Sequence, residues 1–294
     1  METITFNAKK VLASEPYQPR SSFEFVGRLQ QLKMVVAAWM GSARHPPLSP
    51  LLVGDPGVGK NRLVYELARR ANLDLYIFQG HEDVTAEDMA CMVRFSDEAG
   101  KSMDYVLSPL VTAMQRGGIC FIDEIGKIRP RALALLASVL DERRYIDSTL
   151  LGERIHAHPR FRFIAATNTG ETSSLPEFVR SRLRPVIEMG HPPKEELEAI
   201  IAGHSANGPE IEKLLETFWD LFGESKRTPS PRDAVHLFAL AGSLRQVEAN
   251  GNHREGFSIC FEGGAPAFAQ GNQLTVTPAH VTEAFQQLFA RASA

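Results

Sequence analysis

Residues Pro50–Arg70 read PLLVGDPGVGKNRLVYELARR. The apolar run Leu51–Val53 leads into a turn with glycines at 54, 57 and 59, and an amphipathic run starts at Lys60. A strand, a glycine-rich turn and a helix in that order let backbone N–H groups curl around phosphate oxygens, and the helix adds its positive end. The candidate phosphate-binding residues are therefore Gly54, Asp55, Pro56, Gly57, Val58, Gly59, Lys60, Asn61 and Arg62, with Lys60 reaching the β- and γ-phosphates. The pattern Gly-x-x-x-x-Gly-Lys normally closes with Ser or Thr, whose hydroxyl holds magnesium; here Asn61 stands in that place. Its amide oxygen can ligate a hard cation, but from one atom further out than a threonine hydroxyl. An ordinary strand-to-helix turn is the bland alternative.

Outward from this loop, four more short apolar runs stand between helical patterns: Leu75–Phe78, Ile119–Ile122, Phe161–Ala166 and Val186–Met189. They lack strict alternation, as expected of strands covered on both faces. Helices are expected over Lys60–Ala71, Pro109–Arg116, Pro130–Glu142 and Pro176–Leu183. Alternating strands and helices predict an α/β domain with a parallel sheet over residues 1–189. From residue 190 to 294 the pattern predicts a smaller, mainly helical domain. Its helices start near Pro192 and run over Ile211–Phe222, Pro231–Leu244 and Pro278–Phe289. The Gly-rich stretch Gly256–Val276 reads as a hairpin or long loop.

Composition sets the outer limits. The 294 residues are 44% hydrophobic and 23% charged, the profile of a soluble globular chain. A net charge of -3 gives no support for a general nucleic-acid binder. Cys91, Cys120 and Cys260 are odd in number and widely spaced, which points to a reduced, cytoplasmic setting and to packing rather than chemistry. The N-terminus METITFNAKK lacks an apolar signal core, and no run reaches the ~18 apolar residues of a membrane span.

Chemistry-bearing residues gather at predicted strand ends. GGICFIDEIGKI puts Asp123 and Glu124 at the end of an apolar strand, where open parallel sheets bind ligands. Asp123 suits a magnesium ion, directly or through water, and Glu124 suits orientation of an attacking water. FRFIAATNTG ends a further strand in Thr167 and Asn168, and an amide there can hold the water or touch the γ-phosphate. LPEFVRSRLRPVIEM carries Arg180, Arg182 and Arg184, either a solvated helix face or a phosphate-directed finger. TPSPRDAVHLFALA places Arg232 in a helix's first turn, where a cation opposes the dipole and hints at a partner anion. Two histidines in HAHP, His156 and His158, are too few to make a metal site. DERR, Asp141–Arg144, reads as a solvated helix end or a subunit interface.

Taken in order from Phe25 to Phe238, these segments resemble an AAA+ ATPase. FVGR at Phe25–Arg28 resembles the segment beside the adenine, Gly54–Asn61 Walker A, and Ile119–Glu124 Walker B. Asn168 resembles sensor 1, Arg232 sensor 2, and Arg182 the arginine finger, with Arg180 as the alternative. HEDVTAEDM, VLSPLVTAMQRGGICFIDEI (with Ser108 where the group has Gly) and IHAHPRFRFIAATN resemble the MoxR group and its midasin and dynein-related kin, of the short CbbQ and NorQ type. The resemblance implies a five-stranded P-loop sheet with a helical lid, and ATP with Mg2+ bound between subunits of a ring, usually a hexamer. It implies that Arg182 acts on the neighbour's nucleotide. It also implies a von Willebrand factor A domain protein or another client complex as partner, remodelled or activated by hydrolysis. Ser96–Ser108 would be the group's insertion, a hairpin facing the pore or a surface loop. Two other functions stay open at this point: a nucleotide-gated assembly module with weak hydrolysis because of Asn61, and a DNA-acting motor, against which the acidic charge argues.

Overall fold

The computed structural model describes residues 2–6, 9–19, 25–42, 45–96, 102–204, 211–250, 261–262, 265–266 and 276–289. The chain divides into two compact units, Met1–Ser22 with Arg28–Gly190, and Phe23–Gly27 with His191–Ala294.

The first unit opens with β1 (Thr3–Phe6) and β2 (Lys9–Leu12), then α1 (Leu29–Met40). There follow β3 (Ser49–Val53), α2 (Lys60–Ala71), β4 (Leu75–Gln79), α3 (Ala86–Ala90), β5 (Cys91–Phe95), β6 (Met103–Leu107) and α4 (Pro109–Arg116). Next come β7 (Ile119–Asp123), α5 (Pro130–Leu133), α6 (Leu136–Val139), β8 (Tyr145–Ser148), β9 (Glu153–His156), β10 (Arg162–Thr167), α7 (Glu177–Arg180) and β11 (Leu183–Glu188). Five strands form a parallel sheet in the order β11-β3-β10-β7-β4. All five residues of β3 are buried, as a strand covered on both faces requires. Each apolar run of the sequence is a strand of this sheet, with no end shifted by more than three residues.

Register places the chemistry. Pairing of β4 with β7 sets Gln79 beside Asp123, and pairing of β10 with β3 sets Thr167 beside Val53. The carboxyl ends of four strands therefore line up at one edge. Helix α2 buries Leu63, Val64 and Leu67, which fixes its first turn over that edge.

Two predicted helices are shorter than expected. Pro130–Glu142 divides into α5 and α6: Ala134 keeps helical torsions, but Leu135 N–H bonds to Ala132 O, a tighter i→i+3 pattern. The helix expected over Pro176–Leu183 stops at Arg180, because Leu183 already pairs with Ser49 in the sheet. Ser108, the departure from the group's Gly, caps α4: its hydroxyl accepts the Val111 N–H at 3.1 Å and donates to Met89 O at 2.6 Å.

A second sheet, β1-β2-β6-β5, joins the N-terminal hairpin to the predicted insertion. That insertion is a hairpin, with β5 antiparallel to β6, and it begins earlier than expected, at Cys91; residues 97–101 lie outside the described residues. Strands β8 and β9 form a further hairpin.

The second unit contains α8 (Lys194–His204), α9 (Ile211–Glu224), α10 (Pro231–Asn250), the short antiparallel pair β12 (Phe261–Glu262) and β13 (Ala265–Pro266), and α11 (Pro278–Phe289). Its core is aromatic: the Phe218 and Phe222 rings lie 4.8 Å apart, and Phe222 meets Phe285 edge-on at 5.1 Å. Most of the predicted loop Gly256–Val276 lies outside the described residues, apart from the β12–β13 pair and Val276. No helix among the described residues is long and apolar enough to cross a membrane.

Candidate active site

Backbone geometry makes the loop between β3 and α2. Gly59 sits at φ 101°, a conformation that side chains rarely adopt, and forms the N-cap of α2. Gly54 is required for space instead: a Cβ there would lie 2.3 Å from Met189 O. Arg28 donates from Nη2 to Val58 O at 3.1 Å and to Gly190 O at 2.6 Å, pinning the loop from outside.

Lys60 is buried, and its Nζ donates to Gly54 O at 2.5 Å, Asp55 O at 3.1 Å and Asn168 Oδ1 at 3.1 Å. The loop lysine and the end of β10 are thus in direct contact. A lysine only donates, so the Asn168 amide must turn its oxygen to Lys60; its nitrogen donates to Glu171 Oε2 at 3.3 Å. Asp55 accepts from the Thr169 hydroxyl at 2.9 Å.

Asn61 meets Asp123. Its Nδ2 donates to Asp123 Oδ2 at 2.8 Å, and the Glu124 N–H donates to Asp123 Oδ1 at 3.0 Å. A carboxylate only accepts, so the amide nitrogen faces Asp123 and Oδ1 is left as the outward branch. The hydrogen bond that a threonine hydroxyl would donate is thus donated here by the amide nitrogen.

Glu124 has left-handed backbone torsions, φ 54° and ψ 39°. Gln79 Nε2 donates to its Oε2 at 2.9 Å, and Lys127 Nζ pairs with its Oε1 at 2.9 Å.

The arginines are held elsewhere. Arg180 pairs with Glu177. Arg182 donates from Nη1 to Phe178 O at 2.7 Å and lies with Nη2 3.7 Å from Asp141 Oδ2. Arg232 is exposed in the first turn of α10, in the second unit, next to a capping pair in which Ser230 and Asp233 bond each other. His156 and His158 join no group of three or more metal-ligating side chains among the described residues. Cys91 and Cys120 are buried, and burial pushes both thiols up.

A model of the AAA domain, dynein-related subfamily, matches residues 49–183. An uncharacterized protein of Staphylococcus haemolyticus is 30% identical over 196 residues, covering 65% of this chain and 74% of that protein. The denitrification regulatory protein NirQ of Stutzerimonas stutzeri is 31% identical over 157 residues, 53% of this chain and 56% of NirQ. This chain belongs to the dynein-related AAA+ ATPase family. The fold agrees: the Thermotoga maritima RuvB Holliday junction branch migration motor superposes with TM-score 0.56 at 18% identity, over 92% of this chain and 72% of RuvB.

Within this AAA+ domain, sequence reading missed Gln79, Lys127, Glu171 and the grip of Arg28 on Val58. Gln79 becomes visible only through the register of β4 on β7. Lys127 had a faint signal, three residues after an acid on a helical turn.

Proposed function

We propose that the chain is a MoxR-like ring ATPase that binds ATP between subunits and uses hydrolysis to remodel or activate a partner protein. The observation that carries this reading is the meeting of Lys60, Asn61, Asp123 and Asn168 at one sheet edge, with Glu124 adjoining. The backbone of Gly54–Arg62 cradles the phosphates and Lys60 neutralises the β- and γ-oxygens. By the family resemblance, residues 190–294 correspond to the lid domain and Arg232 to sensor 2. Glu124 orients the attacking water, and Asn168 holds the water or the γ-phosphate in line.

The donor set fits a hard divalent cation: the Asn61 amide oxygen and the Asp123 carboxylate are both oxygen ligands, and Asp123 is already oriented by two N–H groups. When bound, magnesium offsets the charge that develops on the phosphates. Magnesium commonly binds through one or two carboxylates together with substrate phosphates, so the cation is expected to arrive with the nucleotide.

The contacts of Arg182 lie with Phe178 and Asp141 rather than with the phosphate loop, which supports action on a neighbouring subunit's nucleotide, Arg180 being the alternative. The ring is expected to be a hexamer working in the cytoplasm, with a von Willebrand factor A domain protein as the partner class. The test is mixing. Lys60→Ala and Arg182→Ala subunits should each be inactive alone, and a mixture should recover turnover, because Lys60→Ala subunits still supply Arg182. No recovery in an assembled ring would overturn action in trans.

A second reading, a nucleotide-gated assembly module, is favoured by one observation: Glu124 is engaged by both Gln79 and Lys127. It predicts ATP-dependent assembly without turnover even in the presence of the partner.

A further inference from the structure

Arg182 rests against a residue to which the reaction assigns nothing. Its guanidinium is held by Phe178 O at 2.7 Å and by Asp141 Oδ2 at 3.7 Å, and its buried Nε has no hydrogen-bond partner among the described residues. Asp141 is itself anchored firmly. Arg143 donates from Nε to both carboxylate oxygens at 3.1 Å and from Nη2 to Oδ2 at 2.8 Å, and its backbone N–H reaches Oδ1 at 3.0 Å.

We propose that Asp141 is a positioning residue that aims Arg182 at the neighbouring subunit's nucleotide; this rests on the reading of Arg182 as the trans-acting arginine. An arginine serves a phosphoryl transfer only when its approach is ordered beforehand, since a long side chain left free must be immobilised at the moment of reaction. Phe178 O fixes one nitrogen and Asp141 draws the other by a long ion pair, so the approach is biased before the neighbour arrives. The contact is also easy to give up. At 3.7 Å it is a long ion pair, and Arg143 keeps Asp141 neutralised when Arg182 transfers to a phosphate. The unpaired Nε leaves a donor of the resting guanidinium unsatisfied, which favours a state in which an oxyanion accepts from it. Arg180 lacks such a device: its partner Glu177 is a largely exposed side chain on the same helical turn.

Positioning by Asp141 is separable from a purely structural role by its effect on kcat against KM and by subunit mixing. Asp141→Ala should cut turnover about tenfold with KM for ATP nearly unchanged, and Asp141→Glu should restore most of it. Because the defect lies in what a subunit offers its neighbour, mixing Asp141→Ala with Lys60→Ala subunits should recover turnover as Arg182→Ala does. Mixing Asp141→Ala with Arg182→Ala should not, since neither subunit offers an aimed arginine. Recovery in that last mixture, or a rise in turnover for Asp141→Ala alone, would overturn the proposal. Failure of the Arg182→Ala and Lys60→Ala mixture to recover would instead strike the trans reading beneath it.

Discussion

Lys60 Nζ lies 3.1 Å from Asn168 Oδ1, joining the phosphate loop to the end of β10 through one hydrogen bond. The same amide is held from its other side by Glu171, so its orientation is fixed before any nucleotide is bound. Replacing Asn168 by Ala removes an aimed group while leaving the loop backbone intact. The expected outcome is a fall in kcat of about tenfold to a hundredfold with ATP affinity changed little, read from steady-state kinetics and calorimetry.

The amide of Asn61 should behave as a working replacement for a hydroxyl. Asn61→Thr retains a donor to Asp123 and an oxygen ligand; Asn61→Leu has neither. ATP affinity measured with Mg2+ and with EDTA should show the same gain from magnesium in wild type and Asn61→Thr. In Asn61→Leu most of that gain should disappear. Equal gains in all three would show that Asn61 takes no part in holding the cation.

Lys127 pairs with Glu124 at 2.9 Å, a contact that would compete with water for the carboxylate in the role proposed for Glu124. Both side chains are partly solvated, so the pair is weak. Lys127→Ala should raise basal turnover by about two- to fivefold, in proportion to the ion pair removed. Unchanged phosphate release would show that the pair sets no barrier.

Glu66 on α2 accepts from Arg69 at 2.8 Å and Arg70 at 2.6 Å. The Arg69 hydrogen bond, against the opposing effect of burial and with help from Arg70, holds its carboxyl below the ordinary 4.5. The folded value is the lower one. The stabilisation is therefore present above about pH 4.5 and is lost as pH falls through the folded value. Glu66→Gln should lose about 1 kcal/mol in urea denaturation at pH 7, and the difference should shrink in acid.

Much of this was legible in the chain because the strands are buried on both faces. Leu51–Val53 and Ile119–Ile122 carry that burial as unbroken apolar runs, and their polar ends announce the site. Helix α11 begins and ends where Pro278 and the apolar spacing predict. Strands β1 and β2 gave no such signal: β1 is ordered by pairing with β2, and β2 by pairing with β6, with Val11 beside Tyr105. The role of Gln79 and the grip of Asp141 on Arg182 are tertiary in the same way. Asn61 shows the opposite limit. Its departure from the motif looks like a defect in the sequence, and only its bond to Asp123 shows that the amide supplies the hydroxyl's hydrogen-bond donation.

Phosphate release from Mg-ATP by the assembled protein, measured beside Glu124→Gln and Lys60→Ala, decides whether this site hydrolyses nucleotide. Wild-type turnover should stand at least about a hundredfold above Glu124→Gln, with Glu124→Gln still binding ATP and Lys60→Ala binding it poorly. Wild-type turnover equal to that of Glu124→Gln at saturating ATP would contradict hydrolysis at this site.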